Sequence, residues 1–90
     1  MRSDIQFLPQ PAIDDQTFMY GDTVRLTTAN LRHEYQLDVN ILRRAGRQIY
    51  GAVVAAAPKT DIPPQEWEIA RGDEVVFREE NIAKAVPGAR

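Results

Sequence analysis

Cysteine is absent from the ninety residues, and histidine and tryptophan occur once each. Without thiols there is no disulfide framework, no thiolate nucleophile and no cysteine-ligated zinc, which excludes stapled secreted scaffolds and finger or knuckle modules. Nowhere do about 18 consecutive apolar residues occur, and no apolar run of signal-peptide length follows Met1-Arg2. A cytoplasmic protein that does not span a membrane is expected. Excess positive charge is missing as well: the net charge is −2, without the global basic field that nucleic-acid binders carry. A chain this short buries only about 60 to 65 % of the surface its unfolded form exposes, so the core is thin and a deep catalytic pocket has little room.

Catalytic groups are equally sparse. The sole serine, Ser3, lies near the start, and a histidine-activated threonine would need His33 beside Thr27 or Thr28. A single histidine without metal-ligand spacing makes no metal site, and the glycines never cluster into a phosphate loop. The adjacent acids Asp14-Asp15, Asp73-Glu74 and Glu79-Glu80 read as solvated turn residues rather than an acid/base pair. Arg71-Gly72-Asp73 spells an adhesion tripeptide, but any Gly-Asp turn after arginine does so. The expectation is a non-enzymatic protein with no catalytic residues, metal or cofactor.

What is present alternates. Residues 1–17, with Pro9 and Pro11, form an irregular lead-in in which Ile5 and Phe7 alternate like an edge strand. After Gly21-Asp22, Val24 and Leu26 alternate with Thr23 and Arg25, a first strand. Tyr35, Leu37, Val39 and Ile41 share one face of a second strand, opposite Glu34, Gln36, Asp38 and Asn40. The polar segment 43–47 turns the chain into a third strand over 48–55, ending at Pro58, with Gly51 predicting a bulge or kink. Residues 59–65 form the longest loop, Trp67 and Ile69 mark a fourth strand, and Val75 and Phe77 a fifth after a turn at 71–73. Glu79-Glu80-Asn81 predicts one 3₁₀ or helical turn, and Ile82, Ala83 and Val86 close the core before a frayed 87–90.

An internal echo runs through this pattern. Phe18-Met19-Tyr20-Gly21-Asp22-Thr23-Val24-Arg25-Leu26 aligns without gaps on Ile69-Ala70-Arg71-Gly72-Asp73-Glu74-Val75-Val76-Phe77. In each copy Gly-Asp predicts a tight turn, with Asp accepting a hydrogen bond from the backbone two residues on, and the following apolar residues point inward.

The Gly-Asp-x-Val-x-apolar openings, the kinked Tyr50-Gly51-Ala52-Val53 and the closing Gly72–Phe77 segment with Glu80-Asn81-Ile82 resemble small bacterial SH3-like β-barrel domains of uncharacterised function. The resemblance covers residues 18–86. It implies an all-β fold, a small half-open barrel of about five to six antiparallel strands, and binding of peptides, nucleic acids or other subunits through loops and one sheet face.

Charge is polarised along the chain. Residues 24–50 hold five arginines against two acids, a net +3, while residues 60–80 hold seven acids against two arginines, a net −5. Arg43, Arg44 and Arg47 cluster at one hairpin tip, where guanidinium forks can meet carboxylates or phosphates. Tyr20, Tyr35, Tyr50 and Trp67 are the aromatic candidates for a binding surface, Trp67 foremost beside Pro63 and Pro64. The expected function is docking of a protein partner, or self-association, through the loop at 58–67 with Trp67, Pro63 and Pro64, flanked by Tyr50, Arg43, Arg44 and Arg47. The alternative is nucleic-acid binding by Arg25, Arg32, Arg43, Arg44 and Arg47.

Overall fold

The computed structural model describes residues 4–10, 18 and 20–86. The chain is all-β. Five antiparallel strands, β1 (Thr23–Thr27), β2 (Tyr35–Ala45), β3 (Gln48–Pro58), β4 (Glu74–Phe77) and β5 (Lys84–Ala85), form one sheet in the order β4-β3-β2-β1-β5. Single 3₁₀ turns at Pro64–Glu66 and Glu79–Asn81 complete the regular structure among the described residues. The sheet stops short of closing into a barrel, leaving β4 and β5 as its two edges. The expected fraying of 87–90 and the 11–17 part of the lead-in lie outside the described residues.

Strand alternation decides the core. Val24, Leu26, Tyr35, Leu37, Val39, Ile41, Ile49, Val53, Val75 and Phe77 are all buried on one face of the sheet, as a period of two requires when only one face is covered. Ile5, Phe7, Phe18, Ile62, Ile69 and Ile82 cover that face from the connecting segments. Residues 5–8 run beside the end of β1: Leu8 N–H donates to Thr27 C=O at 2.9 Å and Ala29 N–H to Gln6 C=O at 2.8 Å. The Phe7 ring packs edge-on against Phe77, centroids 6.3 Å apart.

The echo in the sequence is an echo in the fold. Gly21 N–H donates to Ile41 C=O at 2.9 Å, and Ile41 N–H to Asp22 C=O at 2.8 Å. Gly72 and Asp73 clasp Val53 in the same way, at 2.8 Å for both bonds. Two residues thus oppose one across each ladder, with the leading glycine at φ 91° or 96°, the backbone region that makes glycine the natural residue of such a bulge. In the second copy Asp73 Oδ2 accepts from Ala70 N–H at 2.9 Å, three residues earlier.

Three further expectations are corrected. The hairpin turn is tighter than 43–47, because β2 continues through Arg43 and Arg44 and Ala45 pairs with Gln48. The predicted bulge at Gly51 sits instead on the opposite strand, where the register slips between Ile41 and Arg43 and leaves Leu42 as the extra residue; a second slip between Asp38 and Val39 leaves Val54 extra. Trp67 and Ile69 do not form a strand. There the backbone is spent on other partners: Trp67 N–H closes the 3₁₀ turn on Pro64 C=O at 3.1 Å, and Glu68 N–H donates to the Tyr35 hydroxyl at 3.0 Å.

Glu68 ties this connection to the start of β2. Its carboxylate accepts the backbone N–H groups of Arg32 at 3.0 Å and His33 at 3.1 Å. Desolvation pushes the Glu68 carboxyl up, but these two N–H groups, the Tyr35 hydroxyl and the His33 charge outweigh it and hold the group below its ordinary value. A carboxyl with a depressed folded-state pKa stabilises the fold above its unfolded pKa, and that contribution disappears as pH falls through the folded value. Acid unfolding of Glu68→Gln is therefore expected to show a shallower dependence below the ordinary carboxylate range than that of the parent chain, followed by tryptophan fluorescence of Trp67.

Candidate functional site

The residues singled out by sequence divide between two ends of the molecule. Tyr50 and Pro58 lie toward opposite ends of the eleven-residue β3, about 25 Å apart along the strand. The 58–67 loop and the arginine hairpin therefore do not meet in one surface. At the loop end, Pro63 and Pro64 are exposed and start the 3₁₀ turn. Trp67 packs against the core, and its indole N–H donates to Ile62 C=O at 3.0 Å, pinning the loop down. Arg32 is exposed at this same end, and His33 is half-buried. Tyr35 is wholly buried.

The five arginines also separate. Arg25 faces Asp38 across β1 and β2 and is held by two bonds, Nε to Oδ1 at 2.8 Å and Nη2 to Oδ2 at 3.3 Å. Hydrogen bonding to Asp38 raises its pKa against an opposing desolvation. Strand alternation puts Arg43 and Arg44 on opposite faces, and the bulge at Leu42 decides which is which: Arg43 pairs with outward-facing Tyr50, Arg44 with inward-facing Ile49. Arg44 forms an ion pair with Glu79 on the second 3₁₀ turn. Arg47 is exposed in the hairpin turn.

What gathers at the hairpin end is smaller and better built. The Arg43 guanidinium lies over the Tyr50 ring, 4.1 Å from its centroid, and the Tyr50 hydroxyl donates to Gln48 Oε1 at 3.0 Å. Ring and hydrogen bond together fix the plane of a cation that has no carboxylate partner among the described residues. Among the described residues, Tyr20 at 78 % and Leu42 at 37 % are the exposed large hydrophobic side chains. The Gly21–Ile41 hydrogen bond joins the residues immediately following Tyr20 and preceding Leu42, so these two are neighbours. Across the sheet the register places Val76, Tyr50 and Arg43 in one outward row. Leu42 escaped the sequence reading, although a signal was there: Ile41-Leu42 breaks the apolar/polar alternation that runs from Tyr35, as a bulge does when it re-aims a side chain.

This end offers one fixed guanidinium, two exposed apolar groups and a half-buried valine, which suits recognition rather than bond making. Among the described residues no three or more His, Cys, Asp or Glu side chains stand together as metal ligands. Thr28 Oγ1 is engaged by Tyr35 N–H at 2.9 Å. No helix of the described residues is long and apolar enough to cross a membrane. Compared with family models, curated proteins and solved structures, the chain matches none.

Proposed function

We propose that this chain is a non-enzymatic, SH3-like interaction module of the cytoplasm. Its hairpin end docks an acidic segment of a partner protein. The reading rests on the guanidinium of Arg43, laid on Tyr50 and without a carboxylate partner among the described residues, beside exposed Leu42 and Tyr20. A carboxylate of the partner takes the N–H fork of Arg43, and an adjacent apolar side chain covers Leu42 and Tyr20. Tyrosine and arginine anchors beside apolar surface are the usual carriers of binding energy at interfaces. Trp67, Pro63 and Pro64 serve in this scheme as the frame of the opposite end.

Five antiparallel strands in one small sheet, with bulges in the β2–β3 ladder, support the SH3-like assignment, and the lack of cysteine suits a reducing compartment. The nucleic-acid alternative calls on five convergent arginines, whereas Arg25 and Arg44 are committed to Asp38 and Glu79.

The test is a titration of the ¹⁵N-labelled protein with an array of peptides that combine aspartate or glutamate with leucine, in parallel with single-stranded oligonucleotides. Saturable shifts at Tyr20, Leu42, Arg43 and Tyr50, with Arg43→Glu weakening the best peptide about tenfold, are the expected result. Binding of oligonucleotide alone, or shifts confined to the 58–67 loop, would overturn the proposal.

A further inference from the structure

The two Gly-Asp copies differ in what lies along their outer side. In β1 the carbonyls of Thr23 and Arg25 accept the N–H groups of Val86 at 2.9 Å and Ala83 at 2.8 Å, so the β5 segment completes that edge. The alignment carries Thr23 onto Glu74 and Arg25 onto Val76. Because Asp73 bonds Val53, the ladder parity turns the backbone of Val75 and Phe77 toward β3 and that of Glu74 and Val76 away from it. Among the described residues no backbone group bonds Glu74 or Val76 on that outer side. The free stretch ends at Arg78, whose N–H donates to Asn81 Oδ1 at 2.9 Å and whose C=O accepts Asn81 N–H at 2.9 Å. A cleft lies beside this stretch, lined by Val76, Phe77 and Arg78 together with Gln48 and Phe7.

We propose that this edge binds a second copy of the chain, β4 against β4, antiparallel about a two-fold axis at Val75. The proposal goes beyond the peptide-docking surface: it uses the outer backbone of β4 with Glu74 and Arg78, and shares with that surface only Val76. Edges left open in folded proteins usually carry lysine, proline or an inward charge, whereas β4 reads Glu-Val-Val-Phe. Its charge pattern is self-complementary. The acidic residue Glu74 starts the strand, the basic residue Arg78 follows it on the same face, and neither has an ion-pair partner among the described residues. An antiparallel copy centred on Val75 sets Glu74 opposite the second copy's Val76. The two residues exchange both backbone bonds, and the axis repeats them to give four. Glu74 then lies diagonal to the second copy's Arg78, a separation that long side chains span. Isologous pairing of this kind closes on itself as a dimer.

Sedimentation equilibrium of the full chain reads the dimer directly. A monomer–dimer equilibrium is expected, weakened about tenfold by Glu74→Arg or by Arg78→Glu, each of which places like charges together twice across the axis. The double variant Glu74→Arg with Arg78→Glu restores association. Val76→Pro removes an outward N–H without touching the β3 ladder and leaves a monomer, with a melting curve to establish that it folds. Arg43→Glu leaves dimerisation unchanged, which separates this edge from the docking surface. A monomer at all concentrations up to about 1 mM, or a dimer indifferent to both single charge reversals, would overturn the proposal.

Discussion

Replacing Gly51 with alanine is expected to cost about 3 kcal/mol of folding stability, the largest loss for a Gly→Ala change among the described glycines. Gly51 lies between two ladders, paired with Ile41 on one side and Val75 on the other. A Cβ there would collide with Val39 Cγ1 and stand 2.8 Å from the Asn40 carbonyl oxygen and 3.3 Å from the Phe77 ring. Neither obstacle can retreat easily. Val39 is fully buried and stiff at χ1, and the Asn40 backbone belongs to β2, backed by β1 through the Thr23–Asn40 pair. In urea, with a slope of about 1 kcal/mol per molar for so small a domain, the midpoint falls by about 2 to 3 M. Gly21→Ala and Gly72→Ala provide the contrast. Their Cβ atoms would meet nothing within 4 Å, so only the positive φ penalises them, by about 1 kcal/mol each. The ranking Gly51 above Gly21 and Gly72 separates steric crowding from backbone strain. Equal losses at all three positions would show that the ribbon yields at Gly51.

The reason for Gly51 illustrates how far the sequence carries. Reading it as a kink identified the right residue for the wrong strand: Gly51 is small because β2 crosses tightly above it, and the extra residue is Leu42. A single strand's sequence reports its own alternation, so Tyr35–Ile41 and the two Gly-Asp copies were legible. The pairing partner that crowds a glycine is not written in that strand. The same limit explains Trp67–Ile69. Its alternation is real, since Ile69 is buried and Trp67 packs on the core, but Glu68 gives its N–H to Tyr35 and its carboxylate to Arg32 and His33. No ladder forms there: Trp67 N–H closes the 3₁₀ turn on Pro64 C=O, and Glu68 N–H is taken by the hydroxyl of the distant Tyr35. β5 was missed for the opposite reason: two exposed residues, Lys84 and Ala85, carry no hydrophobic signal, and backbone bonds to β1 alone define them.

The hairpin end was partly legible. Arginine clustering pointed to it, yet three arginines within five residues became one stacked on Tyr50, one paired with Glu79 and one exposed in the turn. A one-residue bulge reverses the face of everything beyond it, and the broken alternation at Ile41-Leu42 was its one trace in the sequence. The surviving feature, Arg43 on Tyr50 beside Leu42 and Tyr20, is narrower than the five-arginine patch and chemically more selective. A single fixed fork matches one carboxylate, whereas a spread patch answers to any polyanion.

Replacing Ile5 and Phe7 together with alanine is expected to unfold the protein at room temperature. Composition makes the lead-in look dispensable, with prolines and few apolar residues, but Ile5 is only 3 % exposed and Phe7 8 %. Truncating a buried isoleucine or phenylalanine to alanine costs about 3 kcal/mol each, and about 6 kcal/mol matches the whole stability of a domain this size, on the order of 5 to 10 kcal/mol. The segment is bonded at both ends of its contact: Gln6 N–H donates to Asn30 Oδ1 at 2.9 Å, and Gln10 N–H to Glu80 C=O at 2.7 Å. Asn81 Nδ2 donates to Phe7 C=O at 3.2 Å, linking the lead-in to the turn that ends β4. Residues 5–8 thus close the side of the core that an unclosed sheet leaves open, in the place a further strand would occupy. A chain beginning at Phe18 is expected to give the circular dichroism of an unfolded polypeptide, and a synthetic peptide of residues 1–17 added in trans is expected to restore the β signal. Cooperative unfolding of the shortened chain within about 1 kcal/mol of the parent would instead place the whole foldable unit after residue 17 and reduce Phe7 to a passenger on Phe77.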